Sequence, residues 1–150
     1  MTKDYDKLFP MPPVFPPKGH PRVYFTKADI PRILENMKKP QNAAAKRVHE
    51  NNIAYDGGVK FGDAYQGTNF DSEMMAIIES LALAYALGGG KQYGQRAAEL
   101  MRACVNGIYF SVDGYSYNTI GQTVFTIAEV YDWCYDLLSA ADREAFYNKT

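Results

Sequence analysis

The chain has 150 residues and a formal net charge of −1, from 16 Lys and Arg against 17 Asp and Glu. This length suits one domain, and the balanced charge offers no basic field of the kind that attracts nucleic acid or an anionic membrane. We therefore expect neither a nucleic acid nor a membrane as a partner. The chain has twelve tyrosines, and the flat ring and hydroxyl of Tyr serve both in protein cores and against sugars.

The cysteines and the N-terminus carry no signal for a cofactor or for targeting. Cys104 and Cys134 have neither metal-site nor disulfide-framework spacing, and both fall on apolar helix stripes, so we expect buried free thiols. We expect no cofactor and no metal. The first residues, MTKDYDKLFPMPPVFPP, lack the apolar region of an intact signal peptide, and no run is long enough to span a membrane. A secreted or periplasmic location stays open if a signal was removed.

The chain divides into a lead-in and a domain. Residues 1–19 contain five prolines and are typical of an extended, polyproline-like segment on the surface. Residues 20–150 predict the domain itself. Thr26 begins the first helix, with Asp29 placed three residues later as in a capping box.

The next helices differ in how polar they are. Pro40 opens a second helix that ends near Tyr55. The third helix begins at Asp71 or Ser72, runs to Leu87 and is apolar nearly all round, which is typical of a helix buried on most sides. Gly88 is its expected left-handed terminus. The fourth helix, about 91–106, has one continuous polar face and is therefore expected to face solvent on that side.

The stretch from Thr119 to Leu138 predicts one long helix. Its apolar residues recur at intervals of three and four and form two neighbouring stripes. Most of its circumference is thus apolar, which suits packing on more than one side. Ser139 then caps a sixth, amphipathic helix over 140–150, with Asp142 as the capping-box partner.

Helices that are apolar on nearly all sides therefore alternate along the chain with helices that have one apolar and one polar face. Short connections make sequential neighbours antiparallel, so the sequence predicts an all-α fold of antiparallel hairpins with about six helices. An inner layer backed by an outer layer gives this alternation, and so does any layered helical repeat.

Three segments together carry a family resemblance. They are HPRVYFTKADIPRI (20–33), ESLALAYALGGGKQYGQRAAELM (79–101) and AEVYDWCYDLLSAADREAF (128–146). In this order they resemble the N-terminal helical domain of heparinase II/III-like polysaccharide lyases. The resemblance implies an incomplete α/α toroid followed by β-sandwich domains, and cleavage of acidic, uronate-containing polysaccharides by β-elimination. It further implies a His or Tyr base and an Asn, Arg or His that neutralises the uronate carboxylate, because the abstracted proton is otherwise only weakly acidic.

In the resembled family the catalytic residues follow the YDW segment, and this sequence ends soon after it. We therefore expect residues 20–150 to be the N-terminal portion of a truncated toroid, with catalytic residues beyond residue 150 and no activity of this chain alone. Uncovered inner helices would favour self-association. Two alternatives remain open: a non-catalytic helical module that binds a glycan or a protein, and a fragment of an α/α-toroid glycoside hydrolase.

The predicted substrate-binding residues lie where the loop over 107–118 enters the fifth helix. Such loops line the cleft of a toroid, and aromatic and amide side chains suit a sugar chain. The predicted residues are Tyr115, Tyr117, Asn118 and Gln122. The alternative is that the loop tyrosines fold back on the core.

Acidic residues on two helices need partners. Glu129, Asp132 and Asp136 recur at three and seven residues and are expected on one face, turned to solvent or to a basic partner such as Arg143, with a ligand-facing role as the alternative. Glu79 is a lone acid on an apolar helix. Because burying an unpaired charge is costly, we expect it to pair with Arg, Lys or a backbone N–H, with a catalytic role as the alternative.

Structural roles are predicted for the two histidines and the tryptophan. His20 precedes Pro21 and is expected in a structural turn, and His49 is expected to be solvated on a polar helix. Two histidines so placed do not make a metal site. Trp133 is expected in the core.

Overall fold

The computed structural model describes residues 18–59, 71–108 and 117–149. This part of the chain is all-α and has no β-strand. Its six α-helices are α1 (Ile30–Met37), α2 (Ala43–Ile53), α3 (Ser72–Ala86), α4 (Lys91–Gly107), α5 (Tyr117–Trp133) and α6 (Ala140–Lys149). Short 3₁₀ turns cover Lys27–Asp29, Pro40–Asn42 and Tyr135–Leu137. No helix in the described ranges is long and apolar enough to cross a membrane.

Side-chain caps confirm the predicted starts of the third and sixth helices. Asp71 is the N-cap of α3, and its Oδ1 accepts from the Met74 N–H at 2.9 Å. Before α6, Ser139 and Asp142 form the expected reciprocal box, with Ser139 Oγ 3.1 Å from the Asp142 nitrogen and Asp142 Oδ2 3.1 Å from the Ser139 nitrogen. Each cap satisfies a backbone donor that the first helical turn would leave unpaired.

Gly88 ends the third helical segment in the way that the sequence predicts. Its φ is +94°, a left-handed value that costs a glycine little. The Gly88 N–H donates to the Tyr85 carbonyl at 3.0 Å and the Gly89 N–H to the Ala84 carbonyl at 2.9 Å. These two bonds form a Schellman motif, which satisfies carbonyls at the end of α3 and turns the chain back into α4.

Two helices differ in their bounds from the sequence prediction. The second helix starts as a 3₁₀ turn at Pro40, becomes α-helical at Ala43 and ends at Ile53, two residues before the predicted end. The long fifth helix begins at Tyr117 and not at Thr119, and it ends at Trp133 and not at Leu138. No Gly or Pro marks this second break. Tertiary contacts hold the turn that follows, because the Tyr135 ring stacks on another segment and Asp136 accepts a hydrogen bond from Tyr85.

The predicted difference in burial between α3 and α4 is confirmed by side-chain exposure. Only Ser72 and Glu73 are exposed on α3, whereas α4 exposes a continuous polar side. The exposed residues of α4 are Lys91, Gln92, Gln95, Glu99, Arg102, Ala103 and Asn106. Among the described side chains of the fifth helix, the exposed ones form one stripe, Gly121, Gln122, Phe125 and Ala128.

The core is built around α3, which packs against α2, α4 and α5. Leu81, Leu100, Ile127 and Phe146, from four different helices, are at most 2% exposed. Close approach of α4 requires Gly94, because a Cβ there would lie 2.6 Å from Leu137 Cδ1 and 2.7 Å from Tyr85 Cγ. Because the start of α4 meets the end of α3 at this point, the two helices are antiparallel.

The last helix is fixed to α4 by an ion pair. Arg102 Nε lies 2.5 Å from Asp142 Oδ1, and Arg102 Nη2 lies 3.0 Å from Asp142 Oδ2. The Arg102 guanidinium, with the Ser139 cap, holds the pKa of the Asp142 carboxyl well below its usual range. Both cysteines are buried as expected, and burial raises the pKa of each thiol to about 12.

The sequence prediction of a core tryptophan is confirmed, and it sets a stability test. Trp133 is 7% exposed and lies 5.5 Å from the Phe25 ring. Removing this ring should leave a cavity, so we expect Trp133→Ala to lower the free energy of unfolding by about 3–5 kcal/mol in urea denaturation. Val48→Ala on the surface of α2 is the control, with an expected change below about 0.5 kcal/mol. Similar losses in both variants would contradict the core assignment.

Candidate functional site

A cleft of about 510 Å³ opens between the N-terminal halves of α3 and α5. It is lined by Ser72, Met75, Ala76, Glu79, Gly121, Gln122, Phe125 and Thr126. Glu79 contacts Thr126 and, further along both segments, Tyr85 contacts Asp136, so α3 and α5 run side by side in the same direction. The exposed stripe of α5 supplies one wall. A polar side chain from each helix therefore faces a shared, open concavity.

One hydroxyl links the two walls of the cleft. Thr126 is fully buried, and its Oγ1 lies 2.9 Å from Glu79 Oε1 and 3.0 Å from the Gln122 carbonyl oxygen. The contact of Thr126 with Glu79 holds α3 against α5 at the floor of the cleft. This hydroxyl fixes the orientation of the Glu79 carboxyl that lines the cleft.

Behind Glu79 lies a second carboxyl, that of Glu129. Its side chain is 5% exposed and is hydrogen-bonded to Glu79. Burial, and then the Glu79 charge, raise the pKa of Glu129 to about 8. Two carboxyls can hydrogen-bond to each other only if one of them holds a proton, and the raised pKa of Glu129 favours that shared proton on Glu129. Glu129 Oε2 is buried and has no hydrogen-bond partner among the described residues.

Two aromatic rings stand beside the cleft. The Phe125 ring is 46% exposed on its wall, and the Tyr24 ring, 67% exposed, lies 5.5 Å from it at an angle of 54°. Tyr24 has a φ of +65°, a left-handed value that is strained for a residue with a Cβ. Loss of solvation, and then the charges of Glu129 and Glu79, raise the pKa of Tyr24. The strained backbone brings its ring to the cleft.

The position of Tyr24 depends on a buried carboxylate. Asp132 Oδ2 accepts from the backbone N–H groups of Arg22 and Val23 at 2.7 and 2.8 Å. Asp132 Oδ1 lies 2.5 Å from His20 Nδ1, and the imidazole stacks on Tyr135 with 4.0 Å between ring centroids. We call residues 20–25, held in this way, the anchored segment.

Of the four predicted substrate-binding residues, the structure places one in the cleft. Gln122 is exposed there, on the wall formed by α5. Tyr115 lies outside the described residues. Tyr117 and Asn118 form the first turn of α5, and their side chains lie outside the described part of the chain.

The acidic residues of the fifth helix do not share one environment, contrary to the sequence prediction. Glu129 is buried against Glu79, Asp132 is buried against the anchored segment, and Asp136 is exposed and accepts from the Tyr85 hydroxyl at 2.7 Å. Their spacing fails to keep them together because α5 ends at Trp133, before Asp136. Asp132 does have the expected basic partners, but they are His20 and Arg22 of the segment that precedes α1, and the Arg143 guanidinium lies over the Tyr135 ring at 4.9 Å.

Two further expectations are wrong. Among the described residues, Glu79 pairs with a hydroxyl and a second carboxyl, and not with a cation or a backbone N–H. His49 is half-buried on α2 and not fully solvated, and burial lowers its pKa despite the opposing charge of Glu50. His20 does lie in a structural turn, as expected, but its partner Asp132 is distant in sequence.

The cleft residues that the sequence reading missed are Tyr24, Phe125 and the pairing of Glu79 with Glu129. The isolated acid on an apolar helix was the one available signal for the pair. Glu79 and Glu129 are 50 residues apart, so no local pattern connects them. Nothing in the anchored segment's sequence distinguishes an exposed, strained Tyr24 from a core residue.

The chemistry open to the cleft follows from these contacts. The two carboxyls touch, whereas a glycoside hydrolase needs its acid pair about 5–10 Å apart across the sugar. The pair therefore does not have the arrangement of a glycosidase. No group of three metal-ligating side chains occurs in residues 18–59, 71–108 and 117–149. Hydrogen-bond acceptors beside exposed rings are suited to binding a polyhydroxylated ligand.

Comparison with known proteins adds no further assignment. No protein-family model matches this chain, and no curated protein matches it.

The hydrogen bonds between Asp132 and the anchored segment can be tested first. Asp132→Ala removes the acceptor of two backbone N–H groups and leaves them and His20 unpaired, so we expect faster amide exchange at Arg22 and Val23. Native-state hydrogen exchange measures this change. Asp136→Ala, at the exposed position just beyond α5, is the control and should leave these amides protected. Unchanged exchange in Asp132→Ala would show that other contacts hold the segment.

The carboxyl pair yields a second test. The pKa of Glu129 rises from about 4.5 to about 8 on folding, so between these values the unfolded state releases a proton that the folded state keeps. The pair therefore lowers stability progressively as the pH rises from about 4.5 to 8. We expect Glu129→Gln to raise the melting temperature at pH 8.5, with a smaller difference at pH 5.

Thermal melting at a series of pH values checks this expectation. Glu144→Gln, at an exposed position on α6, is the matched control and should follow the wild-type curve. A Glu129→Gln variant that is less stable than the wild type at pH 8.5 would contradict the shared proton.

Proposed function

We propose that this chain is the N-terminal portion of the toroidal helical domain of a polysaccharide lyase that resembles heparinase II/III-like enzymes. In this proposal the cleft between α3 and α5 binds part of an acidic polysaccharide. The parent enzyme cleaves that polysaccharide by β-elimination, with catalytic residues beyond residue 150.

The observation that carries the proposal is the composition of the cleft. Gln122 and Glu79 offer amide and carboxyl oxygens, and the exposed Phe125 ring stands on the same side. Sugars present hydroxyl groups around their edge and apolar C–H groups on their faces, so hydrogen-bond acceptors beside an aromatic ring suit them. The cleft is open and not enclosed by the residues that line it, which suits a segment of a chain.

The contact between two of the resembling segments supports the proposal. HPR and YDW lie 110 residues apart, yet His20 bonds to Asp132 of the second segment, and Trp133 Nε1 donates to the Val23 carbonyl at 3.2 Å. The motif residues thus act together as one packing unit. A resemblance carried by contacting residues reflects a shared fold better than isolated matches would.

The layering of helices supports it as well. A toroid has inner helices that run in the same direction and outer helices that return. The buried helices α3 and α5 run in parallel, and α4, which lies between them in sequence, returns with one polar side. A cleft between the N-terminal halves of two inner helices would then face the axis of the toroid.

The proposal gives this chain the binding of polysaccharide and not the elimination step. Elimination requires a base near the abstracted proton and a group that offsets the uronate carboxylate. Glu79 and Glu129 cannot offset a negative charge. His20 is engaged at Nδ1 by Asp132 and lies on the anchored segment, away from the residues that line the cleft.

The proposed binding is tested by calorimetric titration with acidic oligosaccharides from heparan, chondroitin, hyaluronan and alginate. We expect at least one to bind, and we expect Gln122→Ala and Phe125→Ala each to weaken it about fivefold to tenfold, the equivalent of one hydrogen bond or one stacked ring. Gln95→Ala, an exposed amide on α4, should change nothing. Absence of binding by all four probes, or equal binding by all variants, would refute this use of the cleft.

A further inference from the structure

We propose that the cleft between α3 and α5 seats a pyranose unit without a carboxylate, and that Glu79 excludes a uronate from this subsite. This inference rests on the proposed function and adds which sugar of an acidic polysaccharide lies here. It assigns Glu79 as the specificity-determining residue.

The first step concerns charge. Glu79 lines the cleft, and its hydrogen-bond partners are the Thr126 hydroxyl and the Glu129 carboxyl. Neither partner is a cation, and the described residues that line the cleft include no Lys, Arg or His. A uronate carboxylate seated here would therefore face the Glu79 carboxylate without a compensating charge from these residues. With about 4 Å between the two carboxylates, their repulsion lowers the affinity about fivefold even at the dielectric constant of water. The loss of affinity is larger in a cleft that is partly shielded from water.

The second step concerns hydrogen bonding. The Glu79 carboxylate at the floor of the cleft only accepts hydrogen bonds, whereas the Gln122 amide on the wall both donates and accepts them. Behind Glu79, Glu129 Oε2 is buried without a hydrogen-bond partner in the described part of the chain. Such a floor fits a sugar unit that brings donors, such as ring hydroxyls or the N–H of an acetylated amine.

The third step concerns the aromatic rings. Tyr24 keeps a left-handed φ of +65°, a strained conformation that persists only where the surroundings hold it. The bonds from Arg22 and Val23 to Asp132 immediately precede it and fix the chain direction. Its exposed ring, with that of Phe125, then offers apolar faces to the C–H side of a pyranose at the edge of the acceptor floor.

Two hexasaccharides separate the possibilities. In hyaluronan every second unit is an N-acetylated hexosamine, whereas in alginate every unit is a uronate. We expect the wild type to bind the hyaluronan hexasaccharide about fivefold to tenfold more tightly than the alginate hexasaccharide. Glu79→Gln keeps the shape of the side chain and removes its charge. In this variant the alginate hexasaccharide should bind more tightly, so that its affinity comes within about twofold of that of the hyaluronan hexasaccharide. Glu73→Gln, exposed on the first turn of the same helix, is the control and should keep the preference.

A measurement on the wild type covers the case in which Glu79→Gln does not fold. Salt screens repulsion between exposed charges, so raising the NaCl concentration should narrow the preference for hyaluronan. Equal affinities for the two probes, a preference for alginate, or a preference that Glu79→Gln leaves intact would overturn the inference and leave the proposed function standing. If neither hexasaccharide binds, the inference is overturned, and hyaluronan and alginate are excluded as ligands of the cleft. Titration with heparan and chondroitin fragments then tests the proposed function.

Discussion

The buried carboxylate of Asp132 is the contact on which the arrangement of this domain depends. It accepts hydrogen bonds from two backbone N–H groups and contacts an imidazole, all of them in a segment about 110 residues away in sequence. The next residue is Trp133, whose ring packs against Phe25. A buried carboxylate is tolerated only when such donors satisfy it. Because these bonds fix residues 20–25 on α5, they also decide where the next features of that segment lie. Phe25 enters the core, and Tyr24 turns outward beside Phe125.

The second polar contact in the interior has a different character. Asp132 is satisfied by donors, whereas Glu79 and Glu129 meet carboxyl to carboxyl and share one proton. A purely structural role would be served as well by an apolar pair of similar volume. Retaining two acids beside an open cleft has a stability cost that rises with pH. That cost is understandable if the charge at the floor serves to select among ligands, which links the folding of α3 on α5 to recognition.

Much of the fold could be predicted because its signals are local. Capping residues such as Asp71 and Ser139, and the glycine at position 88, mark helix ends through bonds that span only a few residues. The periodicity of apolar residues likewise separates α3 from α4. The end of α5 could not be predicted, because it depends on contacts of Tyr135 with a segment far away in sequence.

The site was predictable only where one residue was unusual by itself. Glu79 stood out as a lone acid, and Gln122 followed from its place at a helix entrance. Their environments required the fold. The helical spacing of Glu129 and Asp132 indicated neighbouring positions on one surface, yet each faces a different packing partner. Sequence spacing sets directions around a helix axis, and neighbouring elements decide which direction is buried.

The single tryptophan of this chain, Trp133, packs against the anchored segment. Its indole N–H donates to the Val23 carbonyl, and its ring borders Phe25. Indole emission depends on the polarity around the ring and on hydrogen bonding at the nitrogen. Release of residues 20–25 would admit water to this position and shift the emission to longer wavelength, without an added dye. The protein thus carries an intrinsic fluorophore at the contact that positions its cleft.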